Sequence, residues 1–263
     1  MLWEGGNKLK PTFLKYDKPL LTAMIQCHTP QECIEKIEKS IAEGADALGI
    51  QLCKLKLEYR TPENLTAIFK ACSGKPVYVT SYLNHESKNL SYDDCASLLL
   101  LALDCGATLC DVMGDFYDRS PQYELTENKK AIEKQKALID EIHRRGGEVL
   151  MSSHTRKVIS VEENIMIAKE HIRRGADIIK IVNTAETDDE VLTYISAIQK
   201  ITAMTDKKLL LLSGGKGQIT RYIGPNFGVC MYLCVQSHGP LDTPEQPLIS
   251  RLKPIRDNMK FEF

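Results

Sequence analysis

The chain carries no excess of charge: 34 Lys and Arg face 35 Asp and Glu over 263 residues. Without a surplus of one sign there is no field to gather nucleic acid or an anionic membrane surface. Aromatic residues make up only 6% of the chain, with a single Trp. No stripe of aromatic and basic residues of the kind that stacks unpaired bases occurs. Long apolar runs are missing too. The longest, "SLLLLALDCGATLC" (97–110), is broken by Asp104 and too short to cross a bilayer. The opening "MLWEGGNKLKPTFLKYDKP" has no continuous apolar core, so no signal peptide is expected. No nucleic acid and no membrane is therefore expected among the partners.

Cysteine is present but unpatterned. The nine residues, an odd number, sit mostly inside apolar runs, and Cys230-x-x-x-Cys234 has no matching Cys/His pair nearby. They read as reduced thiols of a cytoplasmic protein, with neither a disulfide framework nor a zinc site. A phosphate-binding glycine turn is also lacking after the first strand-like run, "LLTAMIQC", and "GGKGQIT" does not have P-loop spacing.

What is there alternates. Apolar runs at 20–27, 47–55, 76–83, 108–114, 148–154, 178–183, 208–214 and 228–235 read as eight strands. Their hydrophobicity is continuous, as in parallel strands buried on both faces. Helical patterns fill the gaps at 30–43, 62–72, 91–105, 127–145, 161–173, 188–203, 217–222 and 244–257. "TPQECIEKI" and "TPENLTAIF" put Thr then Pro where a helix begins, and Arg144 and Arg145 precede Gly146 where one ends. "EGADALGIQL", "CGATLCDVM" and "RGADIIKIV" share one theme: a helix end, Gly, Ala, then a strand. Eight such units without a visible linker predict one (β/α)8 TIM barrel over residues 1–263, with a doubly wound open sheet as the alternative.

Within this frame Lys180 is out of place. It lies in "IIKIVN", flanked by Ile178, Ile179, Ile181 and Val182. An ammonium inside a barrel strand is expensive to desolvate, and burial should lower its pKa toward that of a nucleophilic amine. An edge strand with one wet face is the plainer reading. The preceding strand ends in "MSSHTR", which puts His154 at a strand tip beside Lys180, as a candidate acid/base. Arg221, after the glycines of "SGGKGQITRYIG", offers a fork for a carboxylate or phosphate, or is a solvated loop residue. In "HGPLDTPEQ", Asp242 or Thr243 is expected to cap the last helix and Gln246 to point inward. His85 and Glu86 follow the third strand as polar cavity groups or simple loop residues. A desolvated lysine, a histidine and an arginine together suit imine formation with a ketone or aldehyde, followed by elimination of water or by aldol cleavage.

These segments resemble type I 3-dehydroquinate dehydratases, from about residue 15 to 257. The resemblance is carried by "EGADALGIQL", "VLMSSHTRKVISVEEN", "GADIIKIVNTAETDDE", "GGKGQITRYIGPNFG" and "TPEQP". It implies a barrel of the class I aldolase type with an N-terminal segment covering its bottom, a homodimer, and no metal or organic cofactor. It implies Lys180 as the Schiff-base lysine, His154 as the acid/base, and Arg221 as the substrate-carboxylate ligand, with Gln246 and Glu86 as further binding groups. The implied reaction is dehydration of 3-dehydroquinate to 3-dehydroshikimate, in the shikimate or quinate pathway.

The pattern also departs from the family. A Glu-x-Arg-x-Asp motif on the second strand is replaced by Gly49, Gln51 and Cys53. Tyr82 stands for an arginine at the end of the third strand, Met113 or Gly114 for an acid on the fourth, and Asp242 for a lid serine. Ile159-Ser160 stands for Thr-Pro, and Ser87-Lys88 for a glycine pair. The groups that do bond chemistry stay, while those that grip substrate hydroxyls are rewritten. At roughly 1.5–3 kcal/mol for each charged hydrogen bond, such losses should weaken a polyhydroxylated substrate considerably. The alternatives are therefore imine-assisted elimination on a different cyclic or sugar-like 3-keto substrate, or a barrel that binds a carbonyl metabolite without turning it over. A class I aldolase would want a further acid/base group inside the barrel, where Asp111 is the main one offered.

Overall fold

The computed structural model describes residues 11–261. Eight parallel strands run in the order β7-β6-β5-β4-β3-β2-β1-β8. They are β1 (Leu20–Ile25), β2 (Ala47–Gln51), β3 (Val77–Thr80), β4 (Leu109–Met113), β5 (Glu148–His154), β6 (Ile178–Ala185), β7 (Lys208–Gly215) and β8 (Met231–Cys234). A parallel bridge between Leu209 and Val229 joins the two ends of the sheet and closes the barrel. The open doubly wound alternative is thereby set aside. Helices α1 (Pro30–Ala42), α2 (Pro62–Ala71), α3 (Tyr92–Asp104), α4 (Lys129–Arg144), α5 (Val161–Arg174), α6 (Asp188–Met204), α7 (Thr220–Ile223) and α8 (Ile249–Asp257) return the chain from each strand to the next, α8 following the last.

The local signals act as the sequence reading expects. Thr29 caps α1 and closes a box with Glu32, and Thr61 caps α2 through the N–H of Asn64. The theme glycines Gly44, Gly106 and Gly175 have φ of 100°, 117° and 108°, a backbone region glycine enters without steric penalty. Each turns the chain from a helix into the next strand. At the barrel bottom, the Phe13 N–H donates to Glu148 Oε2 at 2.9 Å and Thr12 Oγ1 donates to Glu148 Oε1, at the start of β5. Phe13 is fully buried and belongs to the same apolar cluster as the barrel residues Leu150 and Ile178. The part of the expected bottom cover before Pro11 lies outside the described residues.

Among the boundaries that differ from expectation, three bear on the cavity. The second strand, expected to reach residue 55, ends at Gln51 and passes into a tight 3-10 turn over Leu52–Lys54. Arg60 holds that turn by donating to the carbonyls of Cys53 (3.3 Å) and Leu55 (2.7 Å). The third strand ends at Thr80, so Tyr82 sits in the connection beyond it. The last helix begins at Ile249 and not near 244, because Leu248 pairs with the end of β8 through Val235. Neither Asp242 nor Thr243 caps it; the cap position is Leu248, with no side-chain bond.

Candidate active site

Parallel register places β5 beside β6 with Ser152 opposite Lys180 and His154 opposite Val182. Side chains alternate along a strand, so Ser152, His154, Lys180 and Val182 all face the barrel interior, His154 one pleat above Lys180. Lys180 is only 5% exposed, and Asp111, from β4, is fully buried. The lysine Nζ is 3.1 Å from Asp111 Oδ2, 3.1 Å from the Tyr78 hydroxyl and 3.3 Å from the Tyr82 hydroxyl. Asp111 in turn accepts from Tyr78, from Tyr82 at 2.6 Å and from Ser152 at 2.5 Å. Burial works to raise the Asp111 carboxyl, but the Lys180 charge and the three hydroxyl donors outweigh it and hold the group below the usual carboxylate range. Burial, reinforced by the Asp111 charge, keeps both tyrosines far above the ordinary phenol value, so they stay donors. The lysine is thus not merely desolvated, as the sequence reading had it. It sits in a socket built for positive charge.

His154 has a partner that sequence reasoning missed. Glu124, on the loop between β4 and α4, places Oε2 2.6 Å from His154 Nδ1 and 2.8 Å from its backbone nitrogen. A carboxylate on Nδ1 fixes the ring with that nitrogen protonated and leaves Nε2 for the cavity. The loop is held by Arg174, which is 2% exposed and donates to the carbonyls of Gly114 (2.8 Å) and Thr126 (2.6 Å) and to Gln135 Oε1 (2.9 Å). Tyr123 and Glu124 both adopt left-handed backbone, with φ of 62° and 49°. Such conformations cost of order 1 kcal/mol or more each and persist only where surroundings impose them. Tyr82 packs edge-on against the His154 ring at 5.9 Å, linking the histidine to the lysine socket.

Lys180 and His154 open into a cavity of about 540 Å³ at the C-terminal ends of the strands. Gln51, Tyr82, Arg221 and Gln246 line it as well. Arg221 is 7% exposed; its Nε donates to the Ser213 carbonyl at 3.0 Å, and no carboxylate pairs with it among the described residues. Gln246 accepts from Gln26 Nε2 at 3.2 Å. Asp115 also faces the cavity, its carboxyl raised to about 6 mainly by burial. Two expected residues are elsewhere. Glu86 is exposed and does not reach the cavity wall, where its neighbour His85 stands instead. Asp242 does not line the cavity: it is bound to Lys36 of α1 at 2.5 and 2.7 Å and to the Gly239 N–H at 2.8 Å. The repulsion of a substrate carboxylate that an inward Asp242 would cause is absent.

The rewritten second strand has a steric logic. Met24, Gly49 and Tyr78 stand side by side across β1, β2 and β3. A methyl group added at Gly49 would run into the Met24 sulfur and lie 3.0 Å from the Tyr78 ring. The space a charged side chain would take at residue 49 is filled by Met24 and by the tyrosine that holds Lys180.

A closed parallel barrel with an interior lysine, a histidine on the adjacent strand and an arginine lining the same cavity matches the architecture of lysine-dependent barrel enzymes. The chain belongs to the type I 3-dehydroquinase family, whose sequence model matches residues 21–259. A 3-dehydroquinate dehydratase of Alkaliphilus oremlandii is 32% identical over 108 residues, 40% of this chain and 41% of that protein. The chain thus aligns with less than half the length of the curated relatives it matches. Among solved structures, the type I 3-dehydroquinate dehydratase from Clostridium difficile with covalently modified comenic acid superposes with a TM-score of 0.76 at 17% identity, covering 92% of each chain. The 3-dehydroquinate dehydratase from Geobacillus kaustophilus gives 0.75 at 16% identity, covering 91% of this chain and 90% of that one. At such identity these superpositions speak for the barrel. No helix among the described residues is long and apolar enough to cross a membrane.

Proposed function

We propose that the protein is a Schiff-base hydro-lyase that dehydrates 3-dehydroquinate to 3-dehydroshikimate, acting as a single barrel domain over residues 1–263. The observation that carries this is Lys180: a buried amine in a charge-stabilising socket, facing the same cavity as His154 and Arg221. The Lys180 nitrogen adds to the substrate ketone as two of its three ammonium protons pass to the carbonyl oxygen, which departs as water and leaves an iminium carrying the lysine's positive charge. His154 Nε2 removes a proton from the adjacent carbon to give an enamine. The enamine expels the β-hydroxyl, which takes the proton back from the His154 imidazolium and leaves as water. Hydrolysis of the imine frees the conjugated enone and restores the lysine. The positive charge on the iminium falls where Asp111 and the two phenol oxygens already hold the ammonium, so no reorganisation is needed. Arg221 holds the carboxylate, and Gln246, Gln51 and Tyr82 border the ring. The protein acts in the cytoplasm as a homodimer, in the shikimate pathway.

A second reading is favoured by Gly49: the same imine chemistry on another 3-keto compound, because the wall residues Met24 and Tyr78 exclude a charged side chain there. Borohydride trapping with 3-dehydroquinate, followed by peptide mass mapping and absorbance of the enone, tests the first reading. An adduct on Lys180 with enone formed supports it. No adduct from folded protein sinks it in favour of another ketone.

A further inference from the structure

Imine formation at Lys180 sets a problem of proton transfer. The lysine rests as an ammonium paired with Asp111, its Nζ 3.1 Å from Oδ2. An ammonium has no lone pair, so it cannot add to a carbonyl until it gives up a proton. A second proton must follow before the oxygen can leave as water. A group that carries both has to touch the nitrogen and the substrate oxygen alike. Among the described residues, Nζ has hydrogen bonds to Asp111, Tyr78 and Tyr82. Asp111 and Tyr78 are fully buried, with no surface at which a substrate oxygen could meet them. Tyr82 is half-buried and lines the cavity. It is the partner of the amine that a ketone in the cavity can reach. His154 stands one pleat higher, opposite Val182.

A phenol oxygen can accept one hydrogen bond while donating another. Tyr82 accepts from Nζ at 3.3 Å and donates to Asp111 Oδ2 at 2.6 Å. When its single hydrogen turns from Asp111 to the cavity, the carboxylate still accepts from Tyr78 and Ser152. Burial and the Asp111 charge keep the phenol protonated, so a hydrogen is present to hand on and no phenolate accumulates. Tyr82 stands where the family pattern has an arginine, a side chain that does not release a proton in proteins. A relay at this position is therefore a property of this chain.

We propose that Tyr82 is a catalytic residue whose hydroxyl relays both protons from Lys180 Nζ to the ketone oxygen. In the first pass the phenol oxygen takes a proton from the ammonium as the phenol hydrogen goes to the carbonyl oxygen. The N–C bond forms, giving a carbinolamine whose nitrogen keeps two protons and the positive charge. In the second pass one of those protons follows the same path to the new hydroxyl. The C–O bond breaks, water leaves, and the nitrogen lone pair closes the C=N bond of the iminium. Tyr82 ends each pass protonated, as it began. This rests on the imine reading of Lys180 and adds the group that makes the amine competent.

Tyr78→Phe is the matched control, because each tyrosine gives one contact to Nζ and one donor to Asp111. Pentane-2,4-dione is the probe. It condenses with an amine, losing water, to an enaminone read by absorbance, whatever the natural ketone is. Peptide mass mapping assigns the product to Lys180, and thermal melting checks that each variant is folded. Tyr82→Phe should form the Lys180 enaminone at least about 10-fold more slowly than Tyr78→Phe. Equal slowing in the two variants, or none in Tyr82→Phe, overturns the relay and leaves the lysine reading intact. Folded wild-type protein whose Lys180 is not modified overturns both. If the dione modifies Lys180 but 3-dehydroquinate gives no trapped adduct, the substrate reading alone falls, and the two variants still decide the relay.

Discussion

Glu124 Oε2 lies 2.6 Å from His154 Nδ1 and takes the His154 backbone N–H at 2.8 Å, so one carboxylate oxygen fixes both the ring and its main chain. The loop that brings it there runs through consecutive left-handed residues, and a buried arginine pins the loop at both ends.

Glu124 should therefore act through His154. In Glu124→Gln the amide can turn its N–H₂ toward Nδ1 and stabilise the wrong tautomer. A loss of about 10- to 100-fold in kcat is expected, at or below the low end of the roughly 10²–10⁴-fold that general acid–base catalysis supplies, because the imidazole itself remains. The dependence on the histidine should shift in the pH–rate profile, while borohydride trapping at Lys180 persists. An unchanged pH profile with a lower melting temperature would reduce Glu124 to a structural role.

Lys180→Ala should abolish the trapped adduct. It also leaves Asp111 buried without its counter-ion, although three hydroxyl donors remain. The stability loss should lie near the low end of the ~3–5 kcal/mol typical of a broken buried pair. Denaturant unfolding measures it, and an adduct surviving in this variant would assign the chemistry to another lysine.

Asp111→Asn breaks the same pair from the other side, leaving the ammonium with two phenol oxygens. Loss of a buried partner is expected to cost ~3–5 kcal/mol and to slow adduct formation. If trapping proceeds at the wild-type rate, the carboxylate does not support the iminium.

Gly49→Ala tests the packed wall at the second strand. The added carbon collides with the Met24 sulfur, and overpacking of this kind costs about 1–3 kcal/mol. A melting temperature within error of wild type would mean that Met24 swings away freely and that the wall does not limit the pocket.

His171 supplies a pH test. It is fully buried, with Nε2 3.0 Å from Ser153 Oγ, and burial, helped by nearby Arg174, lowers it from 6.5 to about 3. Above the unfolded value both states are neutral and pH has no effect through this group. Between 6.5 and about 3 the unfolded chain takes up a proton that the native site refuses, so stability falls as pH falls. In His171→Gln that dependence is absent, and the gap to wild type should narrow by about 3 kcal/mol between pH 7 and pH 4. A constant gap across those titrations would contradict the buried neutral imidazole.

The sequence by itself determined the barrel. Eight runs that are apolar on both faces, capped helices between them, and glycines at Gly44, Gly106 and Gly175 are local features, and each acts within a few residues of itself. Lys180 and His154 were legible for the same reason: alternation along two adjacent strands fixes which way their side chains face. Tertiary structure alone decided what surrounds them. Asp111 and Tyr78 reach Lys180 from strands 69 and 102 residues earlier in the chain, and Glu124 reaches His154 across 30 residues from an irregular loop. Glu86, placed at the cavity by resemblance, is in solvent, and Asp242, which stands for a lid serine, is bound to a lysine of α1. Periodicity encodes direction relative to the local backbone, whereas the partner of a charged group depends on which distant segments the closed barrel brings within hydrogen-bond reach.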